Sequence, residues 1–219
     1  MGTGTERSLK SLNVKWLVSM ALADAVAIFL FIVPEITKDM WTTVAVIRGL
    51  GTVVLPVLVL LIVNVLPYNV KAMLVYWKPL GWLPGSEAFT KYGPVDERID
   101  MIALKRNVGV QPIDRREQNS KWYKLYKMVE NQTEVAAAQK DFLLYRDMAV
   151  ISLPLIALVP LGLWLADVDL GALLFAAALF AAQYLLTAVS ARHSGIRFVT
   201  NVLAIHSAKK IAPQKAAAS

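Results

Sequence analysis

The side chains best suited to chemistry in this sequence are few, and two of them stand where charge is costly. Asp24 and Arg48 each lie inside a long apolar run, WLVSMALADAVAIFLFIV and VAVIRGLGTVVLPVLVLLIV. An ionisable group surrounded by hydrocarbon must find a partner, a neighbouring helix or water, so such residues mark ion pairs, proton relays or ion paths. Counted inward from the link 35–43, Asp24 is ~15 Å deep and Arg48 ~7 Å deep at 1.5 Å per helical residue. The long arginine side chain reaches toward the deeper carboxylate. The two are therefore expected to pair between adjacent helices, either fixing their register or lining a path.

A second cluster lies in the stretch QNSKWYKLYK, where Lys121, Lys124 and Lys127 alternate with Trp122, Tyr123 and Tyr126. Basic residues beside aromatic faces suit an anionic small ligand, a lipid head group or a soluble protein partner. Nucleic acid is the less favoured occupant, because Lys and Arg also gather beside membrane spans for reasons of topology alone.

Little else is equipped for catalysis. The chain has no cysteine and two histidines. His193 and His206, placed on one helix, would stand ~220° apart around its axis and make no local metal site. Phosphate-cradling loops, dinucleotide fingerprints and hydrolase elbows are absent from the sequence. The expectation is a protein that is not an enzyme, with no catalytic residue, cofactor or metal.

The elements that must carry these residues follow from composition. Of 219 residues, 57% are hydrophobic, above the ~45–50% usual for soluble domains. The excess falls in two blocks around a polar middle. Four runs, about 15–34, 44–66, 148–166 and 170–191, are long enough for a ~30 Å hydrocarbon core. Residues 16–34 read as a retained span rather than a removed signal peptide. The short links 35–43 and 167–169 make antiparallel neighbours. The expected fold is all-α: four transmembrane helices in two hairpins, with a helical insertion between the second and third spans.

Charge sets the orientation. Of the 23 lysines and arginines, all but Lys38 and Arg48 fall in the tails or the middle segment. The positive-inside rule then places both termini and the insertion in the cytoplasm of an inner-membrane protein. Trp41, Trp77 and Trp82 are expected at the membrane–water boundary, where amphipathic rings anchor. Residues 1–66 form the tail and first hairpin, 67–146 the insertion, 147–191 the second hairpin and 192–219 the C-terminal extension.

Within the insertion, Asp96 reads as the cap of a helix ending at Gly109, and Asp114 as the cap of a second helix. A third starts near Thr133 and runs unbroken into span three. Span four continues past Ala191, with a bend expected at Gly195. Alanine-rich faces on spans one and four allow close helix approach and suggest a homo-oligomer in the bilayer.

The functional expectation is a small oligomeric membrane protein that forms or gates a permeation path under control of its cytosolic segment. The alternative is a non-conducting sensor or scaffold that docks a soluble partner on the cytosolic helices. The architecture is similar to that of small multi-span effectors in bacterial antiviral defence, a likeness of layout alone.

Overall fold

The computed structural model describes residues 3–38, 54–55, 58–59, 61, 65–79 and 82–210. Arg48, Trp41, Pro56, Asn64 and most of the expected second span lie outside them. The described positions Val54, Leu55, Leu58, Val59, Leu61 and Val65 are helical. Among the described residues there is no strand. Among the described residues the longer helices are α1 (Thr3–Lys38), α2 (Tyr68–Tyr76), α3 (Met101–Val108), α4 (Arg115–Val129), α5 (Thr133–Leu165) and α6 (Leu170–Ala208). A 3₁₀ turn (Pro84–Glu87) and a π turn (Ala88–Tyr92) lie between α2 and α3.

Three of the helices are long and apolar enough to cross a membrane, over Asn13–Val33, Thr133–Leu165 and Leu170–Ala208. Their outward faces are apolar too. Leu22, Val26, Phe29 and Leu30 of α1 are exposed, as are Leu161, Trp164 and Leu165 of α5 and Leu174, Phe175, Leu186 and Val189 of α6. Hydrocarbon is the solvent that such a surface fits. On α6 this surface gives way after Val189 to exposed His193 and Arg197.

Side-chain contacts fix the register. Asn13 of α1 donates to the Lys140 carbonyl of α5 at 3.0 Å. Eleven residues further along α1, Asp24 meets Gln183, which also bonds Ser152 of α5. Advancing together, α1 and α5 run parallel. Pairing of Ser152 with Gln183, Asp141 with Arg197, and the Glu134 carbonyl with Asn201 makes α6 antiparallel to both. The α5–α6 turn is closed by Asp167 in the left-handed region (φ 57°) and by Val168 N–H donating to the Leu163 carbonyl, a Schellman-type stop. Asp169 then caps α6 by accepting from Ala172 N–H.

The polar block is built onto the same two helices. Leu104 of α3, Trp122, Leu125, Tyr126 and Val129 of α4, Val135 and Ala138 of α5, and Phe198, Val199, Val202 and Leu203 of α6 share one core. Trp122 and Tyr126 stack, and the Phe198 ring meets both edge-on at 5.1 and 5.2 Å, geometry that suits aromatic quadrupoles. Helix α6 therefore runs without interruption from the apolar layer into this core.

Several local expectations change. Asp114 caps α4 by accepting from Arg116 and Glu117 N–H, and Gly109 ends α3 at φ 80°, as their spacing suggests. Asp96, however, is not the cap of α3. Its carboxylate is taken by the Arg98 side chain and N–H, and Asp100 caps instead through Ile102 and Ala103 N–H. Helix α6 passes Gly195 as continuous helix. Trp82 is 4% exposed and packs on Tyr76 at 4.3 Å, so its ring belongs to the core. Trp77 is half exposed. Its N–H donates to Tyr184 Oη at 2.9 Å and its ring lies under the Arg192 guanidinium at 4.7 Å.

Candidate functional site

Two polar features stand out against the apolar helices, and both depend on the close approach of α1 to α5 and α6. The buried face of α1 follows Asn13, Ala21, Asp24, Ala25, Ile28 and Ile32, a helical stripe of three- and four-residue steps. Alanines on either side of Asp24 let the backbone come near enough for its short side chain to reach α6.

The first feature is a triad within the apolar layer. Gln183 Nε2 donates to Asp24 Oδ1 and lies 3.0 Å from both that oxygen and Ser152 Oγ. The Ser152 hydroxyl is anchored on the Met148 carbonyl at 2.9 Å. Asp24 is 3% exposed, and its Oδ2 has no hydrogen-bond partner among the described residues. A buried oxygen in that condition is costly. The expected partner, Arg48, lies outside the described residues. Gln183 thereby bridges all three long helices.

The second feature is a cavity of about 450 Å³ where the apolar helices meet the polar block. Trp122, Tyr126, Phe142 and Phe198 contribute to its walls, and Asn13, Lys71, Arg146 and Asp147 bring polar atoms. Its centre is an ion cluster. Asp147 Oδ1 accepts from Arg146 Nε and Nη2 at 2.9 and 2.8 Å and from Lys71 Nζ at 3.3 Å. The Arg146 guanidinium lies 5.0 Å from the Tyr68 ring and 5.8 Å from Phe142. Arg146 is 4% exposed, and its Nη1 is buried without a hydrogen-bond partner among the described residues. So is Asn13 Oδ1. Lys71, Arg146 and Asp147 thus give the cavity wall charges of both signs.

The cluster expected on α4 divides between its two faces. Trp122, Tyr123 and Tyr126 line the cavity; Lys121, Lys124 and Lys127 do not. Lys121 donates to the Val110 carbonyl, and partial burial lowers its pKa. Lys127 donates to Glu130 at 2.7 Å, which raises its pKa, and its ammonium lies 5.5 Å from the Tyr126 ring. Lys124 is exposed. The cavity's cations come from α2 and α5 and are not part of the stretch singled out in the sequence. One signal was present: the adjacent pair Arg146-Asp147 immediately precedes an apolar run.

Two further ties hold the block to α6. Arg98 Nη1 donates to Asn201 Oδ1 at 3.0 Å and Nη2 to Thr200 Oγ1 at 3.1 Å. Asn107 donates to the carbonyls of His206 and Ser207. Among the described residues no three His, Cys, Asp or Glu side chains gather closely enough to hold a metal ion. Searches of protein-family models, curated proteins and solved structures returned no match to the chain.

Proposed function

We propose that this chain is a four-span inner-membrane protein, two helical hairpins with both termini and the polar block in the cytoplasm. It assembles with copies of itself and forms or gates a permeation path controlled from the cytoplasmic side. The orientation rests on the one-sided distribution of lysine and arginine. The observation that carries the functional reading is the Asp24–Gln183–Ser152 triad, a buried carboxylate placed among three apolar helices, one oxygen of which has no partner among the described residues. Charge kept at such depth either fixes helix register or lines an ion or proton path, and the path is the reading taken here. Control fits the continuity of α5 and α6, which contribute to the triad at one end and to the core of the block at the other. A displacement of α4 would be carried to Gln183 through helix and not through a flexible linker.

Reconstitution into vesicles tests this reading. Wild-type protein is expected to pass protons or monovalent cations, and Asp24→Asn to change the rate or selectivity while the particle keeps its size. Absence of flux from the wild type, or flux indifferent to Asp24→Asn, removes the path.

A second reading, a non-conducting scaffold for a soluble partner, is favoured by one observation. Val95, Ile102, Val110 and Ile113 on the block are 74–84% exposed. Exposed apolar side chains of this size suit a protein contact. Co-purification of a stoichiometric soluble protein that is lost with Ile102→Asp and Ile113→Asp, together with silent vesicles, would establish that reading instead.

A further inference from the structure

Four cations from four separate parts of the chain gather around one carboxylate. Glu87, buried in the 3₁₀ turn, lies 3.7 Å from Lys78 Nζ, 3.4 Å from Lys91 Nζ and 4.0 Å from Arg115 Nη2. Lys78 follows α2, Lys91 belongs to the π turn and Arg115 opens α4. The Tyr92 phenol is within electrostatic reach of both Glu87 and Arg192, and Arg192 adds the fourth cation from α6. Among the described residues Glu87 is the only acid within 4.0 Å of Lys78, Lys91 or Arg115, and Arg192 has none. One carboxylate cannot neutralise four cations, and the side chains of Lys91 and Arg115 are more than half exposed.

Trp77 sets the height of this patch. Its indole N–H donates to Tyr184 Oη, and its ring lies under the Arg192 guanidinium. Val189 is the last large apolar side chain exposed on α6. Tyr184 stands ~7.5 Å before it along the helix and Arg192 ~4.5 Å beyond it. Trp77, half exposed, therefore straddles the level at which the hydrocarbon-facing surface ends, and Lys78 is the next residue. Lipid phosphates lie at that level, and indole rings and basic side chains favour it. Lys and Arg clustered just beyond a span attract anionic lipids. A soluble anion would require no such placement.

We propose that Lys78, Lys91, Arg115 and Arg192 form a contact face that seats the polar block on the anionic head groups of the adjoining leaflet. Glu87 gathers three of these cations on one carboxylate, so they act as a unit. Arg115 brings the first turn of α4 with them, the helix from which control of the spans is proposed to act. The charge of the leaflet thereby bears on the position of α4. The face rests on the membrane-spanning reading, but neither on conduction nor on sidedness.

The test is amide exchange of the full chain in nanodiscs of phosphatidylcholine, with and without phosphatidylglycerol. Both leaflets then carry the same lipid, so the outcome is independent of orientation. In wild type the amides of Lys91, Tyr92 and residues 116–118 should exchange about fivefold more slowly with phosphatidylglycerol present, the effect of roughly one basic residue held at a charged surface. Salt at about 0.5 M should erase the difference, because exposed charges are screened. Glu87→Gln removes the one negative charge of the patch and should enlarge the difference. Lys78→Gln, Lys91→Gln, Arg115→Gln and Glu87→Gln combined should leave exchange nearly equal in the two discs. Equal exchange in wild type, loss of the difference in Glu87→Gln, or its undiminished survival in the combined variant overturns the proposal. The same slowing in phosphatidylcholine discs on addition of glycerol 3-phosphate also overturns it and assigns the patch to a soluble phosphate ligand. Silent vesicles leave this result intact, and equal exchange leaves the flux experiment intact.

Discussion

Tyr76 of α2 rests its phenol on the bare backbone of Gly195 in α6. A Cβ at position 195 would overlap the Tyr76 oxygen and come within 3.0 Å of Phe142 Cδ2. This glycine serves close approach of two helices, not a bend. Gly195→Ala is expected to destabilise by about 1–3 kcal/mol, as overpacking does. The Tyr76 hydroxyl is buried with no hydrogen-bond partner among the described residues, so Tyr76→Phe alone should be neutral or slightly stabilising. In the double variant it should recover much of the loss. Thermal unfolding of the four proteins in detergent gives the coupling between the two positions directly.

His206 is 1% exposed, and its Nε2 lies 3.0 Å from the Leu125 carbonyl. A carbonyl only accepts, so Nε2 carries the proton. Burial pushes the imidazole pKa below its usual value. The folded state therefore binds fewer protons than the unfolded state just below pH 6.5, and stability must fall as pH falls through that window. Wild type should melt at lower temperature at pH 5.5 than at pH 7.5. His206→Gln, which lacks a titrating group, should show a smaller difference.

The Arg98 guanidinium holds Asp96 down at about 2. A depressed carboxylate contributes stability above its unfolded value, lost as pH falls from about 4 toward 2. Arg98 is half exposed, so solvent screening limits the contribution to about 1 kcal/mol at most. Asp96→Asn should cost that amount at pH 7 and little at pH 2.5. Asp100→Ala should cost about 1 kcal/mol through loss of the helix cap, reported as faster amide exchange at Ile102 and Ala103.

Within the apolar layer, Gln183 supplies the only hydrogen bond made to Asp24 among the described residues. Gln183→Leu leaves both carboxylate oxygens unanswered and should destabilise by about 1–2 kcal/mol, the upper range for interhelical hydrogen bonds in membranes. Gln183→Glu places two acids together, and its loss should be reversed by Asp24→Asn. Unfolding in a graded denaturing detergent measures each step.

How much of this was legible in the sequence depended on whether the determinant was local. The Asp114 cap and the Gly109 stop are decided within one helical turn, and local spacing found them. Asp96 follows the same rule on paper, but its carboxylate is claimed by Arg98, which is itself drawn to Thr200 and Asn201 on a helix a hundred residues away. Trp82 reads as a boundary residue from its aromatic and basic neighbours, whereas its burial against Tyr76 depends on how the segment folds back. The basic–aromatic stretch on α4 was recognised as a unit, yet helical geometry sends its rings to the cavity and its lysines to carbonyls, carboxylates and solvent. The Lys71–Asp147–Arg146 cluster needs α2 docked on α5, a relationship that no periodicity encodes. Three of the four expected spans correspond to long apolar helices; the second, with Arg48, lies largely outside the described residues.

Control of the spans from a cytoplasmic block requires that block to be inside. Native cysteine is absent from the chain, so single replacements report without background. Asp167→Cys and Tyr123→Cys, treated in intact cells with an impermeant maleimide, measure the claim most directly. Labelling of position 167 at once, and of position 123 only after the membrane is opened, is the expected result; the reverse pattern, or immediate labelling of both, contradicts it.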